Sequence, residues 1–318
     1  MIILTIMFDV LNLTIPFFGV IALGAFSRAI GFFQEDMGVK LARFAFYFIL
    51  PPFFFLAITA APVEKLMNIG FILRYEAATF LVLVSSAIAS SYLFGLRGIE
   101  RGLFGLNAAY PNVGYIGFPL CLMAFGNEAA LPLAMILAID TIVLLVLTAC
   151  FISTGKQGAF FASIRHTALQ LVKNPLIVSA FVGIGWAYLG LPVPVLADRF
   201  MTMLAGAAAP SALFALGITL WGSDIKGAKI ELSYMVWVKL FIHPALIALF
   251  FIAIPGMDKI WIQTAILSAS LPIAANVFAM SQYYGVYTQR TASAIMLSTV
   301  IASITTPAVL YLLYRFVN

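Results

Sequence analysis

Between Gly102 and Phe125 the chain runs apolar for the length of a membrane crossing, yet the nine residues from Pro111 to Pro119 hold two prolines, two glycines and an asparagine. Pro111 removes a helical hydrogen bond and biases Tyr110 toward extended backbone. Gly114 and Gly117 are expected to let the unwound chain adopt dihedrals closed to other residues. In hydrocarbon such an interruption strands N–H and C=O groups at high cost, so it persists only where protein or water surrounds it. The predicted element is a broken transmembrane helix, one half ending near Tyr110 and the next beginning near Ile116, with Pro111, Gly114, Gly117 and Pro119 as its break residues. A second interruption, Leu271 to Asn276, contains Pro272 and divides the apolar run from Ile260 to Tyr284. Two interrupted segments at corresponding places in two halves of a chain point to a site between them for a small ligand.

The surroundings of both stretches set the class. Of 318 residues 64% are hydrophobic and 9% charged, with a mean hydropathy of +1.10, whereas soluble domains carry about 25% charged residues. The chain therefore reads as an all-α polytopic membrane protein whose main partner is the lipid bilayer. The net charge of +5 is spread thinly between apolar runs, which argues against nucleic acid and for a role in setting topology. Cys121 and Cys150 fit neither a metal-ligand spacing nor a disulfide framework, and no metal site is expected. Met1 to Asp9 carries no basic region of a cleaved signal peptide. Nucleotide, zinc-hydrolase and serine-hydrolase motifs are absent from the sequence, so neither an enzyme nor an ATP-driven pump is indicated.

At about 20 apolar residues per crossing, ten spans are predicted near 9–27, 40–60, 69–94, 102–125, 128–152, 174–190, 200–222, 230–254, 259–284 and 289–314. The fourth and ninth are broken. This divides the chain into a first five-helix repeat (1–152), a connection (153–173) and a second repeat (174–318). Phe160, Ile164, Ala168 and Leu171 recur at helical spacing in the connection and predict a short interfacial helix. Pro16 and Pro175, Pro51 and Pro210, and Pro111 and Pro272 fall at similar places in the two halves. An odd number of spans per half makes the repeats inverted. Lys and Arg divide eleven to five between the two sets of loops, which puts both termini outside the cytoplasm.

Five groups of residues could carry chemistry. The half-helix starting near Ile116 directs N–H groups and a partial positive charge toward mid-membrane, which suits a carboxylate. Asn112, Tyr115 and Asn276 would supply donors beside it; the asparagines could equally cap stranded backbone. Asp140 sits mid-span, where a lone carboxylate is costly, and is either a proton-coupling residue or one satisfied by a neighbouring helix. Lys239 and His243, four apart on one face, could meet Asp140 or an anion; alternatively Lys239 snorkels to the interface. Arg74 and Glu76 suit an interfacial pair near the outer end of their span, or else an auxiliary support site. The small-residue stretch Ala207 to Gly217 is expected to pack against a moving neighbour, with Ser211 at the cavity edge.

Three ordered stretches, Asn112–Pro119 (NVGYIGFP), Ala207–Gly217 (AAAPSALFALG) and Leu271–Phe278 (LPIAANVF), resemble the auxin efflux carrier family, whose bacterial members include malonate transporters. The resemblance covers essentially the whole chain. It implies ten spans in two inverted repeats with crossed broken helices 4 and 9, similar to bile acid–sodium symporters, in a bacterial inner membrane. It further implies an elevator-type secondary carrier of small organic anions, coupled to H+ or Na+ and without other cofactors, and a homodimer. In plant members the asparagine at the first break contacts the substrate carboxylate, which here falls on Asn112. Their long central hydrophilic loop is missing. An anion channel and a non-transporting membrane receptor are the alternatives.

Overall fold

A computed structural model describes residues 2–60, 68–153, 173–221, 229–253 and 256–316. The expected interfacial helix over Phe160–Leu171 lies outside the described residues. The chain is helical throughout them: α1 (Ile2–Ala29), α2 (Glu35–Phe44), α3 (Leu50–Thr59), α4 (Ile69–Phe94), α5 (Gly98–Ala109), α6 (Phe118–Phe125), α7 (Ala130–Ser153), α8 (Pro175–Tyr188), α9 (Val195–Ala205), α10 (Ala208–Leu220), α11 (Lys229–Trp237), α12 (His243–Ile252), α13 (Lys259–Ala269), α14 (Ala275–Tyr284) and α15 (Thr288–Phe316). Three π-helical turns, Ala45–Ile49, Val113–Gly117 and Val238–Ile242, join α2 to α3, lead into α6 and join α11 to α12. Among the described residues six segments are long and apolar enough to cross a membrane: Val10–Ala29, Asp36–Thr59, Ile69–Phe94, Val195–Leu220, Lys229–Ile252 and Thr288–Phe316.

Local chemistry places several helix ends. The Asn68 side chain accepts the Phe71 N–H at 3.0 Å to open α4, and Gly95, at φ +69°, closes it in a left-handed turn. Asn174 accepts the N–H groups of Leu176 and Ile177 ahead of Pro175, which tolerates the first helical turn because its missing N–H would have no partner there. The closest helix pair is α1 with α10. A Cβ on Gly217 would stand 2.0 Å from the Ile21 carbonyl oxygen, and one on Gly24 would stand 2.2 Å from that of Phe214. The small-residue stretch is thus a packing surface, and its main neighbour is α1, which the contacts place in the same group of helices rather than across a moving boundary. Contacts also join α10 to α2, and α3 to both α8 and α9, while α4, α5, α7 and α11–α15 pack mainly on one another.

The two predicted interruptions meet. α5 ends at Ala109 and α13 at Ala269, and the extended residues after them pair antiparallel around Pro111 and Ile273. The Asn112 N–H donates to the Pro272 carbonyl at 2.8 Å, and the Ala274 N–H to the Tyr110 carbonyl at 3.1 Å. Ser298 Oγ accepts the Ile273 N–H at 3.1 Å, and the Thr306 hydroxyl donates to the Ser270 carbonyl at 3.3 Å. Backbone groups that lipid could not satisfy are therefore satisfied by the partner break and by α15.

Two details of the sequence reading are corrected. Gly114 and Gly117 do not occupy left-handed backbone; both lie in the π turn. Gly117 is needed for closeness, since a Cβ there would stand 2.8 Å from Leu271 Cδ1 across the breaks. Pro119 lies within the half-helix Val113–Phe125, two residues after its π turn ends at Gly117, and so stands after the break and withholds one helical hydrogen bond there.

Candidate functional site

The paired breaks form one wall of a cavity of about 30 Å³, room for water, bordered by Tyr110, Pro111, Asn112, Gly114, Tyr115, Asp140 and Asn276. Facing them are apolar side chains, Phe46, Leu50, Leu137 and Leu176. The sequence-predicted Asn112, Tyr115, Asn276 and Asp140 are thus brought to one place. Both half-helices that begin at the breaks, Val113–Phe125 and α14, turn their first residues to this cavity. The helix N-termini give it a partial positive potential.

Asn112 is 3% exposed, and its two polar side-chain atoms behave differently. Oδ1 accepts the Tyr115 N–H at 3.3 Å and caps the π turn, while Nδ2 is buried without a hydrogen-bond partner. One side chain therefore caps the break and still offers a donor. Asn276 is exposed at the start of α14, and Tyr115 is half-buried. Ser211 is half-buried on α10 and borders neither this cavity nor the next; its neighbour Ala212 borders the latter.

Behind the cavity lies a buried polar cluster. Asp140 is 5% exposed, its Oδ1 has no partner, and it feels the charges of Glu76 and Lys239. Glu76 Oε1 and the hydroxyls of Tyr75 and Tyr110 are also buried without partners. Lys239 does not snorkel. It is fully buried, and its ammonium donates to the Ala269 carbonyl at 2.6 Å, where α13 ends, and lies 3.2 Å from His243 Nδ1. His243 Nε2 lies 3.0 Å from Thr79 Oγ1, and the ring's tautomer decides which of the two donates. Sequence reasoning missed the inward carboxylate of Glu76. Its spacing from Thr79 and Tyr75 on α4 was the available signal, since Tyr75, Ala78 and Thr79 mark the buried face of that helix.

Two larger cavities flank the breaks toward opposite ends of the α2–α3 segment. One, of about 270 Å³, shares Tyr115 and Ala275 with the small cavity and is bordered by Val39, Ala42, Leu216 and Phe278. The other, of about 470 Å³, is bordered by Thr59, Asn127, Asp198 and Thr202.

The profile of the family described as membrane transport protein matches residues 9–310. A protein of Rhizobium meliloti (strain 1021) named "Putative malonate transporter" is 36% identical over 313 residues, covering 96% of this chain and 97% of that one. The Escherichia coli (strain K12) protein "Uncharacterized transporter YfdV" is 23% identical over 313 residues, covering 93% and 95%. The Mus musculus "Lysosomal cholesterol signaling protein" is 23% identical over 308 residues, covering 90% of this chain and 35% of the mouse protein.

Proposed function

The chain belongs to the membrane transport protein family, that of the auxin efflux carriers, and on that premise we propose that it is a secondary carrier of small organic anions that binds its substrate where the two broken helices meet. The observation that carries this reading is the buried, unpartnered Nδ2 of Asn112, a residue that borders a cavity onto which two half-helix N-termini also open. A carboxylate there would accept from Asn112, with Tyr115 and Asn276 alongside, in the partial positive field of both helix ends. The name of the Rhizobium meliloti relative makes malonate the first substrate to test.

The finer architecture follows the same reading. Ten spans form two inverted five-helix repeats, 1–152 and 174–318 joined by 153–173, with the fourth and ninth crossing at the site. Both termini lie outside the cytoplasm of a bacterial inner membrane. The first, second, sixth and seventh spans act as a scaffold against which the rest moves as an elevator, and two copies associate through the scaffold. Asp140, with Lys239 and His243 behind it, takes up and releases the coupling proton. A small central cavity between two larger ones supports alternating access. The mouse relative's name favours one second reading, a ligand sensor that binds without transporting.

Uptake of labelled malonate into proteoliposomes under an imposed pH gradient tests the proposal. Wild-type protein is expected to give saturable uptake. Asn112→Ala removes a donor to a charged group, worth about 1.5–3 kcal/mol, so uptake efficiency falls roughly 10- to 100-fold. Asn112→Asp keeps the capping oxygen and loses uptake as well, which separates binding from the integrity of the break. Uptake undiminished in Asn112→Asp rejects the assigned role of Asn112. Saturable binding with no uptake or counterflow favours the sensor.

A further inference from the structure

Away from the breaks, an open groove of about 370 Å³ runs between α1 and α15, lined by Met7, Val10 and Leu11 on one helix and by Ala308, Tyr311 and Leu312 on the other. Its origin is local. Ala308 offers only a methyl group, and Pro307 before it withholds the N–H that would reach the Ser303 carbonyl and so disturbs the helix there. Val10 is buried at the floor, whereas Met7, Leu11 and Leu312 are exposed at the rim. Both helices contain a segment long and apolar enough to cross a membrane, so the rim faces lipid. Among the described residues the Tyr311 hydroxyl is the only polar side-chain group in the lining. Apolar hollows stay dry, and what fills one that opens on a bilayer is an acyl chain.

The end of the groove adds a charge. Ala308, Tyr311, Leu312 and Arg315 stand at i, i+3, i+4 and i+7 and share one face of α15. Arg315 lies in the last helical turn, about 10 Å along the axis from Ala308, at the level where a span meets headgroups. Its exposed guanidinium donates to the Tyr311 hydroxyl at 3.4 Å and stands 5.0 Å from the centre of the Phe316 ring. Among the described residues it has no carboxylate partner. With one of its five donors turned to Tyr311, the fork still has donors for the oxygens of a phosphate. Either feature alone is ordinary, since arginines close many helix ends and gaps between helices admit lipid without choosing it. Joined on one face through Tyr311, they match an apolar chain that carries an anionic head.

The geometry points to a site for an anionic glycerophospholipid, one acyl chain lying in the groove between Leu11 and Ala308 and the headgroup phosphate held by Arg315 beside the Tyr311 hydroxyl. A lipid of net negative charge, such as phosphatidylglycerol, is preferred over phosphatidylcholine, whose trimethylammonium brings a like charge to Arg315. The two walls belong to the two groups of helices that pack mainly within themselves, so a bound lipid touches both. The site is separate from the cavity at Asn112 and does not depend on what that cavity binds.

Photolabelling tests the inference on the full-length protein in phosphatidylcholine nanodiscs that contain a trace of phosphatidylglycerol bearing a diazirine in one acyl chain. After irradiation and peptide mapping, label is expected to concentrate on Met7–Leu11 and Pro307–Leu312, above the level on the exposed face of α4 at Phe80, Leu81 and Ile88, which reports random lipid contact. Unlabelled phosphatidylglycerol displaces it, and the same amount of added phosphatidylcholine does not. In Arg315→Gln, an exposed substitution that leaves the packing intact, the groove label falls about fivefold, the worth of one arginine at an anionic lipid. In Ala308→Trp, whose ring fills the groove, the groove label is lost while that on α4 stays. Label no denser in the groove than on α4, in protein that retains its helical spectrum, overturns the inference. Equal displacement by the two lipids, or undiminished label in Arg315→Gln, overturns it as well, because the groove would then take any chain. The label is read without substrate, so each of these outcomes leaves the carrier reading to the uptake measurement.

Discussion

Desolvating an ammonium costs several kcal/mol unless hydrogen bonds replace its water, and at Lys239 those bonds come from the Ala269 carbonyl and His243. The lysine closes the C-terminal end of α13 at the point where the second break begins, so it serves the break and the charge balance of Asp140 together. Lys239→Met removes the ammonium that the Ala269 carbonyl accepts from and leaves Asp140 without its nearby cation. Stability is expected to drop by about 1–3 kcal/mol, read as a lower melting temperature in detergent, and uptake to be lost. Asp140→Asn has a different signature: counterflow continues, while accumulation driven by a pH gradient disappears. Equal accumulation by this variant and the wild type would remove Asp140 from coupling. At this scale the place of Asn112 at the break was legible, because an asparagine after a proline in a membrane span either caps stranded backbone or meets a ligand, and its Oδ1 does cap. Lys239 was not, because whether a lysine reaches the interface depends on the depth of its span, and its main partner lies 30 residues away in sequence.

Helices that approach closely do so where side chains are smallest, and α1 and α10 show both halves of that requirement in Gly24 and Gly217. A methyl at Gly217 would meet the Ile21 carbonyl oxygen at 2.0 Å, backbone that cannot swing away. Gly217→Ala must therefore spread the pair and is expected to destabilise by about 1–3 kcal/mol, whereas Gly19→Ala, with nothing within 4 Å of its Cβ, leaves the melting temperature unchanged. Identical melting of the two variants would mean that the α1–α10 contact is looser than its backbone distances require. The breaks and the small-residue stretch could be read from sequence because proline, glycine and alanine act through their own geometry. The π turns at Ala45–Ile49 and Val238–Ile242 could not. One extra residue per turn leaves the apolar run uninterrupted, and all four faces of a membrane helix are apolar. Yet one of these turns positions Phe46 against the cavity and the other carries Lys239.

Across the whole molecule the packing separates α1, α2, α3, α8, α9 and α10 from the helices that carry the breaks, with α1 against α15 as one of the seams. The spans of the first group are those proposed above as the scaffold. Hydropathy marks what is apolar and leaves open which apolar faces meet, so the pairing of the two breaks and this seam needed three-dimensional contacts. If transport requires one group to slide past the other, tying the seam must stop it without touching the site. Leu11 and Ala308 both border an apolar groove between α1 and α15, away from Asn112 and Asp140. In a background of Cys121→Ser and Cys150→Ser, Leu11→Cys with Ala308→Cys can be bridged by a short, reducible bifunctional thiol reagent. Bridged protein is expected to bind malonate as the unbridged protein does and to lose at least nine-tenths of its uptake, with recovery on reduction. Each single-cysteine variant treated alike should keep its uptake. Undiminished uptake by fully bridged protein would mean that the two groups do not slide at this seam, and the alternation would have to come from smaller rearrangements around the breaks themselves.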